Sequence, residues 1–174
     1  MTIWQLFKDA LLHPKKHAAY RLLPIGKVIQ YLFLLSTIIT LISFTQFTLG
    51  FGEQTNSIEG LAQYIDGIEW LLYPLSLIFL FIMNTSLLFI RVSIYAAIGL
   101  LFIYFLHRRG EYRMLWRTAT FSMTLGFLLS TILSFFNLTS LWISFISAII
   151  TLVYLYIALK KYPKQPKEKL IVPN

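Results

Sequence analysis

The stretch from Trp70 to Leu106 constrains the fold most, because its thirty-seven residues carry a single formal charge, that of Arg91. About twenty apolar residues already cross the hydrocarbon core of a bilayer, so a run of this length indicates a transmembrane segment. As one straight helix it would reach about 55 Å, well beyond the roughly 30 Å of that core. The stretch must therefore tilt, bend or protrude from the membrane.

Composition indicates an integral membrane protein with no chemistry based on cysteine. Hydrophobic residues make up 57% of the chain, and cysteine is absent, which excludes disulfides and thiolate metal sites. The formal charge of +8 comes from basic residues that flank apolar runs. These residues are therefore expected to orient the membrane segments, and no nucleic-acid partner is expected. His13, His17 and His107 lie in basic segments and form no catalytic or metal-binding pattern. We expect no cofactor, no metal and no enzymatic activity.

The distribution of charge predicts four membrane crossings within one domain. Lys and Arg gather before residue 28, between 107 and 117 and after 159, whereas residues 51–69 hold four acids and neither Lys nor Arg. Since basic residues stay on the cytoplasmic side, both termini are expected inside a bacterial cytoplasmic membrane. The predicted all-α polytopic bundle comprises a cytoplasmic segment 1–27, transmembrane helices 28–50, 70–106, 115–136 and 141–159, an extracytoplasmic loop 51–69, a cytoplasmic loop 107–117 and a basic cytoplasmic tail 160–174.

Two arrangements of the central stretch remain open at this point. One is a single long helix entered through Pro74 and loosened near Asn84-Thr85-Ser86, where short polar side chains compete for backbone groups. The other is a hairpin of two short helices, which would give five crossings and place the arginines of 107–117 outside. The charge pattern favours the single helix.

The N-terminal segment has the spacing of an amphipathic helix that ends at Pro14. Ile3, Trp4, Phe7, Ala10 and Leu11 recur at three and four residues. Such a helix can lie on an anionic leaflet, or it can pack on the protein's own loops. If it lies on the leaflet, headgroup contacts are predicted for basic residues here and in the 107–117 loop, namely Lys8, Lys15, Lys16, Arg108 and Arg109.

Arg91 is a candidate site for a polar ligand, a lipid or a protein partner, with Asn84 about two turns away. Every acid of the chain lies outside the apolar runs, so Arg91 has no intramembrane carboxylate partner. An isolated charge at the bilayer centre costs at least about 2.5 to 3.5 kcal/mol. The guanidinium could hold a phosphate or carboxylate headgroup. Alternatively, Arg91 lies near an interface and only its stem packs on apolar surface.

A ridge of small residues follows one face of the third predicted crossing. Its members recur every fourth residue, a spacing that lets membrane helices approach closely: Thr118, Ser122, Gly126, Ser130 and Ser134. A polar ridge can also line a conduit, but an ion or proton pathway would be expected to include acids at membrane depth. The pattern therefore favours helix packing.

Several short motifs resemble a known family. They are Pro14-Lys15-Lys16, Tyr20-Arg21, Ile25-Gly26-Lys27 with the run Tyr31 to Leu35, Ala96 to Leu100, Glu111 to Arg117 and Leu155 to Pro163. Together they resemble a domain-of-unknown-function family of Gram-positive bacterial membrane proteins, some labelled maltodextrin-utilisation proteins and related to the Yip-type membrane proteins. The resemblance implies an integral membrane protein with its N-terminus inside and carries over no catalytic residue. The family usually has a larger segment after its first helix than residues 51–69.

The sequence predicts a non-enzymatic accessory or scaffolding protein of the membrane, associated with a transport system such as maltodextrin uptake. Its expected partners are membrane lipids with anionic headgroups and another membrane protein. The alternative is a small transporter or a lipid-handling protein that uses Arg91 and the small-residue ridge.

Overall fold

The computed structural model describes residues 3–56, 67–135 and 141–165 and is helical throughout its regular elements. Helices are present at the predicted positions 28–50 and 70–106: the second agrees to within one residue at each end, whereas the first begins three residues earlier and continues to Asn56, within the predicted loop. In chain order the elements are α1 (Ile3–Leu12), a 3-10 helix (Pro14–Leu22), α2 (Ile25–Asn56), α3 (Glu69–Phe105), α4 (Tyr112–Phe135) and α5 (Leu141–Leu159). Residues 57–66, 136–140 and 166–174 of the predicted loops and tail lie outside the described residues.

Helix α4 lies at the centre of the bundle and contacts every other described helix. Its inward positions combine apolar and hydroxyl side chains, with Thr118, Thr120, Ser122 and Thr124 all buried. Buried hydroxyls need hydrogen-bond partners; Thr120 donates to the Trp116 carbonyl at 2.9 Å, and Thr124 lies 2.8 Å from the Tyr31 hydroxyl. A helix enclosed by protein can therefore carry polar groups that a lipid-facing helix could not.

Three helical segments are long and apolar enough to cross a membrane, namely Ile25–Gly50, Trp70–Phe105 and Leu141–Leu159. Helix α4 is absent from this set among the described residues, because its hydroxyl groups and the arginines Arg113 and Arg117 lower its hydropathy. These segments fit a membrane protein. A fourth crossing by α4 stays a prediction.

Helix α3 is one continuous element and does not form the two-helix hairpin. Two of the three polar residues expected to loosen it contact α2: the hydroxyls of Thr85 and Ser36 are 2.6 Å apart, and Asn84 Nδ2 donates to Thr40 Oγ1 at 3.3 Å. The third, Ser86, donates to the Ile82 carbonyl of α3 itself at 2.8 Å. Such contacts between membrane helices satisfy polar side chains that lipid cannot. The segment Asn84-Thr85-Ser86 thus links the two longest helices.

Helices α4 and α5 approach each other closely at Gly126. The Ser147 hydroxyl donates to the Gly126 carbonyl at 2.6 Å, and a Cβ added to Gly126 would lie 2.5 Å from the Ser147 carbonyl oxygen. Only glycine fits at this separation, since the nearest atom is backbone and cannot move aside.

The N-terminal segment packs against the bundle through α1 and the 3-10 helix. Leu6 and Ala10 of α1 are fully buried in a cluster with Tyr31 and Phe121, while Trp4 is 59% exposed. His17 is fully buried, with Nδ1 3.2 Å from Ser122 Oγ and Nε2 3.2 Å from the Ala10 carbonyl oxygen. One face of α1 thus contacts protein, and its position on a membrane surface stays a prediction.

The end of the bundle where α3 and α5 finish and α4 begins is rich in basic residues; we call it the basic end. Here the α3–α4 connection pairs with the chain after α5. The Arg109 N–H donates to the Pro163 carbonyl at 2.8 Å, and the Gln165 N–H donates to the His107 carbonyl at 3.1 Å. His107 adopts a positive φ of 50°, so the connection turns sharply at this residue.

Replacing Gly126 with alanine is expected to destabilise the bundle, because the new methyl group would force α4 and α5 apart. The expected loss in the free energy of unfolding is about 1 to 3 kcal/mol, measured as a lower thermal midpoint in detergent. Gly26→Ala is the matched control, since nothing lies within 4 Å of a Cβ there. Equal midpoints for the two variants would contradict the close approach.

The buried His17 predicts an acid-sensitive fold. Burial lowers the pKa of His17 to about 4, so its imidazole stays neutral in the folded state while the unfolded chain takes up a proton near pH 6.5. Stability is expected to be constant above about pH 6.5 and to fall as the pH drops towards 4, by about 2 kcal/mol between pH 7 and pH 5.

The measurement compares thermal midpoints at pH 7 and pH 5 for the natural chain and for His17→Gln. The variant should be less stable at pH 7 and should lose less stability on acidification. The pKa of the Asp9 carboxyl is itself lowered, first by its hydrogen bond from Lys16, so its protonation belongs to a more acidic range. An unchanged response to acid in the variant would contradict the role of His17.

Candidate functional site

Arg91 extends from α3 towards α4 and lies over an aromatic ring. Its Cζ is 4.6 Å from the ring centroid of Phe127, a distance at which the ring face attracts a cation. The structure shows no ion pair or hydrogen bond for this guanidinium within residues 3–56, 67–135 and 141–165. Among the described residues, the cation–π contact with Phe127 is therefore the interaction shown for the charge of Arg91.

A cleft of about 490 Å³ opens beside Arg91 between α3, α4 and α5, and we call it the Arg91 cleft. Its lining mixes apolar side chains, including Ile39 of α2, Leu87 and Ile143, with polar ones. The polar lining residues are Asn84, Arg91, Ser130, Thr131, Ser134 and Ser144.

A second hollow of about 400 Å³ extends the Arg91 cleft along α5. Arg91, Ser130 and Ser144 line both spaces, so the guanidinium lies between them. The second hollow also reaches Ser147, the residue whose hydroxyl donates to Gly126. The close approach of α4 and α5 therefore closes one end of this polar space.

Two of the three hydroxyl groups of α4 in the Arg91 cleft direct their hydrogens to the backbone of α4. Ser130 donates to the Phe127 carbonyl at 2.8 Å, and Thr131 donates to the same carbonyl at 2.9 Å. Arg91 is thus the charged donor of the cleft, with the Asn84 amide at its far side. A guanidinium with uncommitted donors matches the oxygen atoms of a phosphate or carboxylate.

The structure brings the two main candidates of the sequence, Arg91 and Asn84, into one cleft and divides the small-residue ridge between two roles. Ser130 and Ser134 line the Arg91 cleft. The other three pack α4 on its neighbours: Gly126 meets α5, Ser122 meets His17, and Thr118 Oγ1 lies 2.7 Å from the Tyr162 hydroxyl.

The predicted headgroup contacts differ in how far the protein itself engages them. Lys16 pairs with Asp9 at 2.8 Å, and Arg108 is half-buried with Nη1 donating to the Tyr162 carbonyl at 2.7 Å. Lys8 and Arg109 are exposed. The side chain of Lys15 lies outside the described residues, and lipid contact by any of the five stays a prediction.

Sequence reasoning did not include Phe127, Thr131 and Ser144 among the candidate site residues. Phe127 resembles any other membrane aromatic in sequence, and only the crossing of α3 and α4 places its ring under Arg91. Ser144 and Ser147 carry a weak small-residue spacing along α5, which is the one signal that could have indicated the opposite wall. Among the described residues, no three His, Asp or Glu side chains are grouped as metal ligands.

The family comparison matches more than half of the chain. Residues 50–159 match the model described as "Protein of unknown function (DUF1189)". The chain belongs to this family. The matched residues include α3, α4, α5 and nearly all of the Arg91 cleft, while α1 and the 3-10 helix lie before them.

Neither the curated proteins nor the solved structures include a match to this chain. The DUF1189 description names no activity, so the function rests on the geometry of the site. The Gram-positive origin, the maltodextrin label and the Yip relation that the resemblance implied stay predictions.

Proposed function

We propose that this DUF1189 protein holds an anionic group, carried by a membrane lipid, in the Arg91 cleft and catalyses no reaction. The observation that supports this proposal is the guanidinium of Arg91, which lies beside a polar cleft without a carboxylate among the described residues. A cation on an apolar helix is costly without a counter-ion, and a lipid phosphate would supply one. This is the lipid-handling alternative that the sequence left open.

The shape of the cleft supports a lipid more than a free ion. Its lining adds the apolar side chains Ile39, Leu87 and Ile143 to the polar ones, which suits the acyl chain attached to a headgroup. Exposed apolar side chains adjoin the lining residues in sequence, with Ile90 at 55% beside Arg91 on α3 and Phe145 at 64% beside Ser144 on α5. A lipid could therefore enter sideways from the bilayer.

The proposal can be tested with a single cysteine on this cysteine-free chain. Ser130→Cys places a thiol of similar size in the cleft, and Leu129→Cys places one on the neighbouring exposed position. In phosphatidylcholine nanodiscs, a water-soluble thiol reagent should modify residue 130 faster than residue 129, because a thiol ionises only where water reaches it. Phosphatidylglycerol should slow the reaction at residue 130.

Arg91→Gln should abolish that protection, and Arg109→Gln should leave it intact, since Arg109 is exposed at the basic end. Protection by inorganic phosphate in place of the lipid would identify the ligand as a free anion. Failure of phosphatidylglycerol to protect residue 130 with Arg91 present would contradict the proposal.

The topology proposed for this function is four crossings, with both termini in the cytoplasm. The length of α4 supports the fourth crossing, because its twenty-four residues extend about 36 Å and it lies among α2, α3 and α5. Four of its hydroxyl side chains, those of Thr118, Thr120, Ser122 and Thr124, are buried in protein, so its low hydropathy does not exclude a place in the bilayer.

Single cysteines provide the test of sidedness. In intact cells an impermeant thiol reagent should modify Ser57→Cys, while Arg109→Cys and Lys164→Cys should react only after the membrane is permeabilised. Reaction of Arg109→Cys from outside would place the basic end on the exterior and reverse the topology.

An accessory role beside another membrane protein, such as a maltodextrin permease, is the second candidate. The observation that favours it is the length of α3. Asn84 lines the Arg91 cleft together with Ser134 near the end of α4 and Leu141 at the start of α5. The part of α3 before Asn84, Glu69–Met83, continues for about 22 Å and exposes large apolar side chains, including Leu75 at 62% and Phe79 at 57%.

A photo-crosslinking residue at Leu75 tests the accessory role in native membranes, with one at Ile94 as the control on the other half of α3. A defined protein partner should be captured at position 75 and not at position 94. Capture of lipid alone at both positions would contradict this candidate.

A further inference from the structure

A separate cleft, distinct from both spaces beside Arg91, lies between α2, α3 and α4 near the basic end. It has a volume of about 370 Å³, and we call it the Arg117 cleft. Its walls are mainly apolar, formed by Ile25, Ile29, Phe89 and the Trp116 ring, while Arg113 and Arg117 supply its charge.

The two arginines share a face because they are four residues apart on α4. Arg117 Nη1 donates to the Arg21 carbonyl at 3.0 Å, whereas Arg117 Nε is buried and has no acceptor among the described residues. Arg113 is exposed at the mouth of the cleft. The structure shows no ion pair or hydrogen bond for the Arg113 guanidinium among the described residues, so its donors are open to a ligand that supplies oxygen atoms.

Neither Arg113 nor Arg117 forms an ion pair with a carboxylate among the described residues, Glu111 included. The guanidinium of Arg21 lies 4.9 Å from the ring centroid of Tyr162, and its Nη1 is likewise buried without an acceptor. The ion pairs found in residues 3–56, 67–135 and 141–165 all involve Asp9 with His13 or Lys16. An anion is therefore the partner that charge complementarity predicts for Arg113 and Arg117.

We propose that the Arg117 cleft binds an anionic phospholipid, with its phosphate at Arg113 and Arg117 and one acyl chain along Ile29, Phe89 and Trp116. The apolar walls favour a lipid over a soluble phosphate. A further groove of about 460 Å³ on α3 begins at Phe89 and runs past Ser93 to Ala97, so it continues the apolar surface. The site is distinct from the Arg91 cleft, because residues 89 and 91 point about 200° apart around α3.

Trp116 provides a reporter inside the cleft. The other tryptophans, Trp4, Trp70 and Trp142, are 59%, 77% and 76% exposed, so phenylalanine can replace them without opening the core. The resulting chain is reconstituted into phosphatidylcholine bilayers that contain equal small fractions of either brominated phosphatidylglycerol or brominated phosphatidylcholine. Bromine quenches tryptophan fluorescence on contact, so phosphatidylglycerol should quench Trp116 more strongly.

Arg113→Gln should reduce this preference about fivefold, which is the effect of losing one cation beside an anionic headgroup. Arg113 is exposed, so its replacement should not unfold the chain. Arg117→Lys keeps the charge but loses the planar fork, and it should retain part of the preference. Arg109→Gln is the matched control at the same end of the bundle and should retain all of it.

Equal quenching by the two brominated lipids would overturn the proposal. An equal loss of the preference for phosphatidylglycerol in Arg109→Gln and Arg113→Gln would also overturn it, because it would indicate a general attraction of anionic lipid to the basic end. Relief of quenching by inorganic phosphate would overturn the assignment to a lipid. Arg91→Gln should leave Trp116 quenching unchanged, so failure of this site and failure of the Arg91 cleft give separate results.

Discussion

The burial of α4 is the constraint on which the rest of the structure depends. Its buried hydroxyl groups cannot face lipid without loss, and neighbouring elements cover them: His17 lies on Ser122 and Tyr31 on Thr124. At Gly126, the Ser147 hydroxyl binds the backbone of α4 directly. Both clefts lie beside α4, one with lining residues on α3 and α5 and the other with lining residues on α2 and α3.

The length of the apolar runs and the distribution of charge indicated the membrane class and the positions of the longest helices. Both patterns reflect whether a segment meets water or lipid, which does not require knowing its packing partners. The bounds of α3 agree with the predicted stretch to within a residue at each end. Pairwise contacts were not predictable in this way. Asn84 and Thr85 were expected to loosen α3, yet they bond to Thr40 and Ser36 of α2, a partner whose register no local pattern reveals.

At the candidate site, too, the sequence shows the charge but not the contacts around it. Arg91 was recognisable because an unpaired cation in an apolar run is rare. The residues that make a cleft around it are ordinary membrane residues, and they become a site only through the crossing of three helices. The ridge from Thr118 to Ser134 illustrates this point, since one spacing serves close packing at Gly126 and lines a cleft at Ser130 and Ser134.

The N-terminal segment contributes both to the packing of α4 and to the geometry of the Arg117 cleft. It lies before the residues matched to DUF1189, yet it covers α4 through His17 and holds Arg117 through the Arg21 carbonyl. That hydrogen bond orients one arm of the Arg117 guanidinium, which leaves its Nε towards the neighbouring interior. The segment that buries Ser122 of α4 therefore also sets the direction of a charge on α4. Helix packing at the basic end and the ligand recognition proposed there both depend on this segment.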